Sequence, residues 1–446
     1  MNLEKISYFK ILLIFTIIIS YFLGFFLREN TSGGAESDFV NATWPAIQAI
    51  KENFYFSIKN YGKFGDGSWP MFHILNALFN PFTFSEYFFQ LSITFVSLLN
   101  FFIFESLIRR KFKLEKIDSF LFASVILLLP FFRSSAFWGL TENFGWLFLL
   151  IGIKYYLDLE DLLEKKILNS KVLLCIFFLC FFSSLALYTR QYLIFFPIFI
   201  FLKLFFIEKN FKILFLISII YLIFSLPGIL LIYLWGGLYD TVNVPPGNVL
   251  VNHQPKYIIK NLPFLFSFFA FYLMPFFLVE CFSKNIKEIT QKYYKSFLIY
   301  FLVLILFYLF NFLEPLKNVT MGGGAFLKID YILFERKLFF FILMSSLGFA
   351  FLYDIIKENP KSNLILSFCL LIFCLPKFIF QEYYEPLILI LFLLLYKNNV
   401  NYFFGKKTNL TIIISTIYFA IYLLGSIYYK YFLFLNFDSW KQFLNS

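Results

Sequence analysis

Charge is what this sequence has least of. Only 15% of its 446 residues are Asp, Glu, Lys or Arg, against about a quarter in soluble domains. Histidine is scarcer still. His73 and His253 are the only two and lie far apart, which leaves no zinc or haem spacing. Five cysteines, at positions 175, 180, 281, 369 and 374, all fall in apolar runs. An odd count without ligand spacing reads as small hydrophobes rather than a disulfide or metal framework. Met321 to Phe326 is glycine-rich, but it follows no strand and lacks the Gly-Lys-Ser/Thr of a phosphate loop, so it reads as a flexible loop. The centres of the apolar runs hold almost no ionisable groups. That argues against an ion-coupled transporter, which keeps such groups near mid-membrane.

What is present is apolar and aromatic. Hydrophobic residues make up 60% of the chain and aromatics 24%, with 72 Phe; mean hydropathy is +0.77. The expected class is all-α, a polytopic transmembrane helical bundle of about 13 spans in one integral-membrane domain over 1–446. The segments are 8–27, 85–107, 118–134, 143–157, 171–188, 191–207, 213–235, 261–282, 296–313, 338–356, 363–376, 383–396 and 410–428. The first run lacks a small-residue cleavage site and reads as a retained helix. The Phe, Ile, Leu, Lys and Asn bias suits an AT-rich genome and a bacterial inner membrane.

The net charge is +11. In a soluble chain this would suggest nucleic acid; here the basic residues collect in short loops, and no nucleic-acid partner is expected. With the N-terminus in the cytoplasm, most of the 38 Lys and Arg lie inside, as the positive-inside rule requires. The longer segments 28–84, 236–260 and 314–337 then face outside, where loops carry the chemistry.

The first of these loops is ordered. Val40, Trp44, Ile47, Ile50 or Lys51, Phe54 and Ile58 recur at steps of three and four, predicting an amphipathic interfacial helix. Gly65-Asp66-Gly67 is a turn, Ser68 a candidate cap, and Pro70 leads a second short helix. Asp38, with Glu36 two residues before it, sits where the first helix begins. Such a carboxylate can take a proton from a hydroxyl or hold a divalent cation; the plain alternative is a solvated loop acid. Glu142 follows Arg133 in the next outer loop, and is either functional or a first-turn acid beside the caps Thr141 or Asn143. Arg190 and Gln191 lie in a tight turn between spans. There an Arg is costly unless paired or set against phosphate, or it snorkels to lipid. Tyr383, in a stretch with Glu382, Tyr384 and Glu385, fits an aromatic belt or a sugar-stacking surface. Asp240, His253 and Lys256 are weaker candidates. Glu105 and Arg109 are spaced for an i,i+4 ion pair.

These features resemble the GT-C class of integral-membrane glycosyltransferases, which take sugars from polyprenyl-phosphate carriers. The resemblance rests on the early acid Asp38, the interfacial helices of the first loop, the Pro70-led helix within Gly67 to Phe79, and the Tyr- and Pro-led late span at Phe380 to Phe392. Thr141-Glu142-Asn143, Thr189-Arg190-Gln191 and Trp235-Gly236-Gly237 are similar to stretches of the terminal alpha-1,2-glucosyltransferase family of lipid-linked oligosaccharide assembly. The paired acid common in the class is absent, because Phe39 follows Asp38; a divalent cation therefore stays open. The resemblance implies transfer with inversion to a glycan, lipid or protein acceptor, with Asp38 as base. Arg190 and Arg133 would neutralise the leaving phosphate, Glu142 would orient the acceptor or a cation, and Glu36, Gln191 and Tyr383 would contact substrate. Two rivals stay open: a cell-surface polysaccharide polymerase or ligase, and a flippase of lipid-linked saccharide.

Overall fold

The computed structural model describes residues 3–31, 34–64, 68–165, 170–238, 240, 254–313, 316, 323–377, 379–398, 400–405 and 407–432. Among them it is all-helical, without strands; a helix pairs its whole backbone internally where no water is available, as a closed β-barrel also does. Among the described residues, nine helices are long and apolar enough to cross a membrane, or ten if one bent pair counts as a span. These coincide with ten of the expected segments. The other three take different forms. The helix at Glu142–Glu164 is long enough but carries too many charges for a simple span. Pro360–Cys374 is short, and 383–396 is built from short helical pieces. The chain divides into two compact units, Met1–Val251 and Asn252–Ser446.

The first unit begins with α1 (Leu3–Phe26). The first loop then runs through α2 (Ala35–Asp38), a π-helical turn at Phe39–Thr43, and α3 (Trp44–Glu52) without a break. Asn53 ends this run and caps α4 (Phe54–Lys59), accepting from the Phe56 N–H at 3.1 Å. Of the expected apolar face, Ile47, Ile50 and Ile58 are buried, whereas Val40 and Phe54 are exposed. Next comes α5 (Met71–Phe79), which starts directly after Pro70 at its N-cap; Ser68 lies buried two residues before that cap. Gly65, Asp66 and Gly67 lie outside the described residues.

α6 (Glu86–Phe112) follows. α7 (Lys116–Ala123) continues to Leu128 and bends by 73° into α8 (Pro130–Phe137). Then come α9 (Glu142–Glu164), α10 (Ser170–Thr189), α11 (Phe195–Lys203) and α12 (Phe211–Trp235). Gly236, at φ +69°, closes α12, with the Gly237 N–H bonded back to the Ile232 carbonyl.

Inside α12, Pro227 interrupts the ladder. The Tyr188 hydroxyl enters the gap, donating to the Phe224 carbonyl at 2.5 Å and accepting from the Gly228 N–H at 3.1 Å. It thus bridges the two groups that an unbroken helix would join directly. A Cβ on Gly228 would come within 2.8 Å of both Tyr188 and Trp69. The bare backbone makes room for those two stacked rings, whose centroids are 5.3 Å apart.

In the second unit, α13 (Tyr257–Ser283) packs on α14 (Ile286–Leu309) and, beyond α15 (Gly324–Leu333), on α16 (Phe339–Glu358). A Cβ on Gly348 would sit 1.7 Å from the Phe266 carbonyl oxygen, so α13 and α16 meet backbone to backbone. α17 (Pro360–Cys369) is capped by Asn359, and α18 (Leu387–Ile390), α19 (Asn401–Phe404) and α20 (Thr408–Tyr431) complete the unit.

Candidate functional site

One end of the first unit gathers the segments that follow α1, α8, α10 and α12. Trp235 donates to the Ile58 carbonyl at 2.8 Å, Asp240 accepts from the Gly62 N–H at 2.9 Å, and Tyr61 stacks on Trp235. Tyr61 also bonds the buried ring of His73 at 2.6 Å. Asp240 and His73 therefore serve to pin the loop. These segments make up the loop end of the unit.

Under the loop lies a layer of buried charge. α1 ends with Arg28 in the left-handed region, φ +53°, and the Glu29 N–H reaches back to the Gly24 carbonyl. This turn points the Glu29 carboxylate inward onto Arg133 of α8. Arg133 is 2% exposed. Its Nε and Nη2 donate to Glu29 at 2.9 and 2.6 Å. Its remaining bonds go to the carbonyls of Ser20 (2.8 Å) and Leu127 (3.1 Å) and to the Ser20 hydroxyl (3.4 Å). The Leu127 carbonyl lies just before the bend at Pro130, where the helix cannot supply its own partner. Gly24 leaves the necessary space: a Cβ there would lie 2.4 Å from Arg133 Nη2.

A second pair sits beside the first. Glu142 opens α9 as a first-turn acid and is 3% exposed. Arg190, in extended backbone after α10, meets its Oε1 through Nη2. The arginine stem lies on Gly145, where a Cβ would already be 3.3 Å from its Cγ. Glu142 Oε2 is buried and has no hydrogen-bond partner among the described residues, and the same holds for the indole N–H of Trp146 one turn along. Asn143 donates to the Ser135 hydroxyl at 3.1 Å, and its carbonyl accepts from Asn100 at 2.8 Å. Thr31 lies 3.1 Å from both Glu29 Oε1 and the Ser134 hydroxyl, so the neighbouring serines of α8 link the two halves.

The predicted base is placed differently. Asp38 and Glu36 are exposed in the first turn of α2, which begins at Ala35, so both carboxylates enjoy the favourable end of the helix dipole. Asn30 reaches Glu36 at 3.5 Å. The residue after Asp38 is an anchor: Phe39 is fully buried, stacks on Phe89 at 6.1 Å and contacts Trp138 at 6.5 Å. The Trp138 indole in turn donates to the Glu29 carbonyl at 3.1 Å. Asp38 is thus exposed but seated one residue from a ring fixed to the buried layer. Gln191 is half-buried at the start of the turn 191–194.

Tyr383 belongs to the second unit, half-buried against Phe380 at 5.7 Å. The interior residue of that stretch is Glu385, fully buried, accepting from Tyr272 at 2.8 Å and Tyr422 at 3.2 Å. Gly323 and Gly324 do not form a loose loop. Both sit at φ +77°, and the Ala325 N–H beyond them is bonded to Gln381 at 2.7 Å. His253, Met321 and Gly322 lie outside the described residues.

Sequence reasoning passed over Glu29, the partner of Arg133. A signal was there: Arg28-Glu29-Asn30 follows a long uncharged run directly, and an acid at a span end calls for a named cation. Among the described residues, no group of three or more His, Cys, Asp or Glu side chains converges as a metal set. Comparison with protein-family models, with characterised proteins and with solved structures finds no match for the chain.

Proposed function

We propose that this chain is a GT-C-like membrane glycosyltransferase, moving a sugar from a polyprenyl-phosphate-linked donor to a glycan, lipid or protein acceptor. On this reading the N-terminus is cytoplasmic, the expected 13 segments cross or enter a bacterial inner membrane, and the loop end faces outside. The observation that carries the reading is Asp38: an exposed carboxylate at a helix start, held by the Phe39 anchor over a layer of buried acid–arginine pairs. A base must reach solvent to meet an acceptor and must be held still to be efficient.

In the proposed step an acceptor hydroxyl attacks the anomeric carbon and its proton passes to Asp38. The bond from that carbon to the phosphate oxygen breaks, and the electron pair leaves with polyprenyl phosphate. Arg133 enters as a positioning residue, since its donors are taken up by Glu29, two carbonyls and the Ser20 hydroxyl. Arg190, with its side chain 17% exposed, keeps an edge toward the leaving group. Glu142 orients Arg190.

The test is transfer of labelled sugar from polyprenyl-phosphate donors to membrane acceptors by wild type and Asp38→Asn at matched expression. Loss of about a hundredfold or more is expected in the variant, with unchanged melting, since Asp38 is exposed. Equal transfer by both would remove Asp38 as base. No transfer with any donor, together with movement of lipid-linked sugar across vesicles, would replace the enzyme reading with a flippase.

A further inference from the structure

A cleft of about 30 Å³ opens beside the end of α1, between Arg28 and the start of α6, and no acid lines it. Arg28 is exposed, and its left-handed backbone sets the guanidinium 6.0 Å from the Trp138 ring centroid. Among the described residues no acid pairs with it. The adjacent Glu29 points the other way, already bound by Arg133, so the cleft keeps a net positive charge. Opposite stands Gln90, lining the cleft at 5% exposure. Among the described residues no hydrogen bond reaches its side-chain amide. The amide atoms themselves open onto the cleft, where a ligand can take the place of water on them. Tyr87, one turn before Gln90, forms a side wall.

The surroundings indicate what the ligand carries. Leading away from the cleft, Leu23 and Phe26 on α1 and Phe88 and Phe95 on α6 expose apolar faces. The cleft has room for about two water-sized groups, which suits phosphate oxygens and is too little for a sugar ring. We propose that the cleft binds the phosphate of a membrane lipid. The Arg28 guanidinium and the Gln90 amide each donate to one of two oxygens that enter the cleft, and the tail lies along α1 and α6. An arginine that only snorkels to the headgroup layer would give Gln90 no part. The proposal stands apart from the transfer reading, because its test measures binding without turnover.

The full chain, purified in uncharged detergent, is titrated with three probes: polyprenyl phosphate, phosphatidylglycerol and inorganic phosphate. Arg28→Gln is expected to weaken binding of a phosphate lipid about tenfold, and Gln90→Leu about threefold or more. Arg28→Lys should recover part of the loss, and Arg110→Gln, at the opposite end, should bind as wild type. Melting is checked for each variant, and the exposed Arg28 keeps the test valid even where Gln90→Leu unfolds. A larger loss for polyprenyl phosphate assigns the site to the carrier; equal losses assign it to bulk anionic lipid. Lipid binding unchanged in Arg28→Gln overturns the proposal. So does a folded Gln90→Leu that binds as wild type, or inorganic phosphate binding as tightly as the lipids.

Discussion

The two ends of the first unit use the same ion pairs to different effect. At the loop end Glu29–Arg133 is sealed, with side chains 7% and 2% exposed. At the opposite end Arg110 bridges Asp158 and Asp161, and Arg109 meets Glu105 four residues earlier, with both arginines more than 40% exposed. Lys203–Glu160 and Lys10–Asp118 are enclosed exceptions there, with every side chain at or below 15% exposure. An exposed pair exchanges water for a partner at little gain. A sealed pair has lost its water, so each partner depends on the other. The lesson is that charge is tolerated in this apolar chain by screening at one end and by enclosure at the other.

The comparison breaks most sharply at Arg133. Arg133→Met leaves the Glu29 carboxylate buried without its cation and is expected to cost about 3–5 kcal/mol, read as lost folded protein and a lower melting temperature. Adding Glu29→Gln should restore most of that loss; a single variant as stable as wild type would show that the pair holds nothing together. Glu142→Gln should cost less, about 1–2 kcal/mol, because Arg190 keeps an edge toward solvent and Glu142 Oε2 has no partner to lose. A drop as large as that of Arg133→Met would erase the distinction between the sealed and the open pair. Arg110→Gln comes last, with a change below about 1 kcal/mol that high salt removes. Its melting should be followed across a salt series, where any salt-independent loss would count against screening.

Much of the fold was legible because the membrane imposes one periodicity and one length on every span. Nine expected segments coincide with long apolar helices, and the tenth differs only by its bend at Pro130. Glu105–Arg109 was legible from spacing alone and forms at 3.3 Å. The site was harder. Arg133 and Glu142 drew notice as charges near one loop, yet each took a partner from elsewhere in the chain: Glu29 from the end of α1 and Arg190 from the end of α10. Spacing within a helix predicts local pairs; which distant span lies beside which depends on packing. Likewise Gly323 and Gly324 looked like slack, and the bonds from Ala325 to Gln381 and from the Gly323 N–H to the Ile379 carbonyl reveal a fixed turn.

The hydroxyl of Tyr188 carries a consequence for descent. It completes the backbone of α12 across the interruption at Pro227, so a phenylalanine there would leave a peptide N–H and a carbonyl unpaired inside an apolar helix. Gly228 admits the ring, and Pro227 is what the ring repairs. Three positions, one of them some forty residues from the others along the chain, therefore make up a single heritable unit. Lineages that straighten α12 by losing the proline are released from the tyrosine and the glycine; lineages that keep the proline are bound to both.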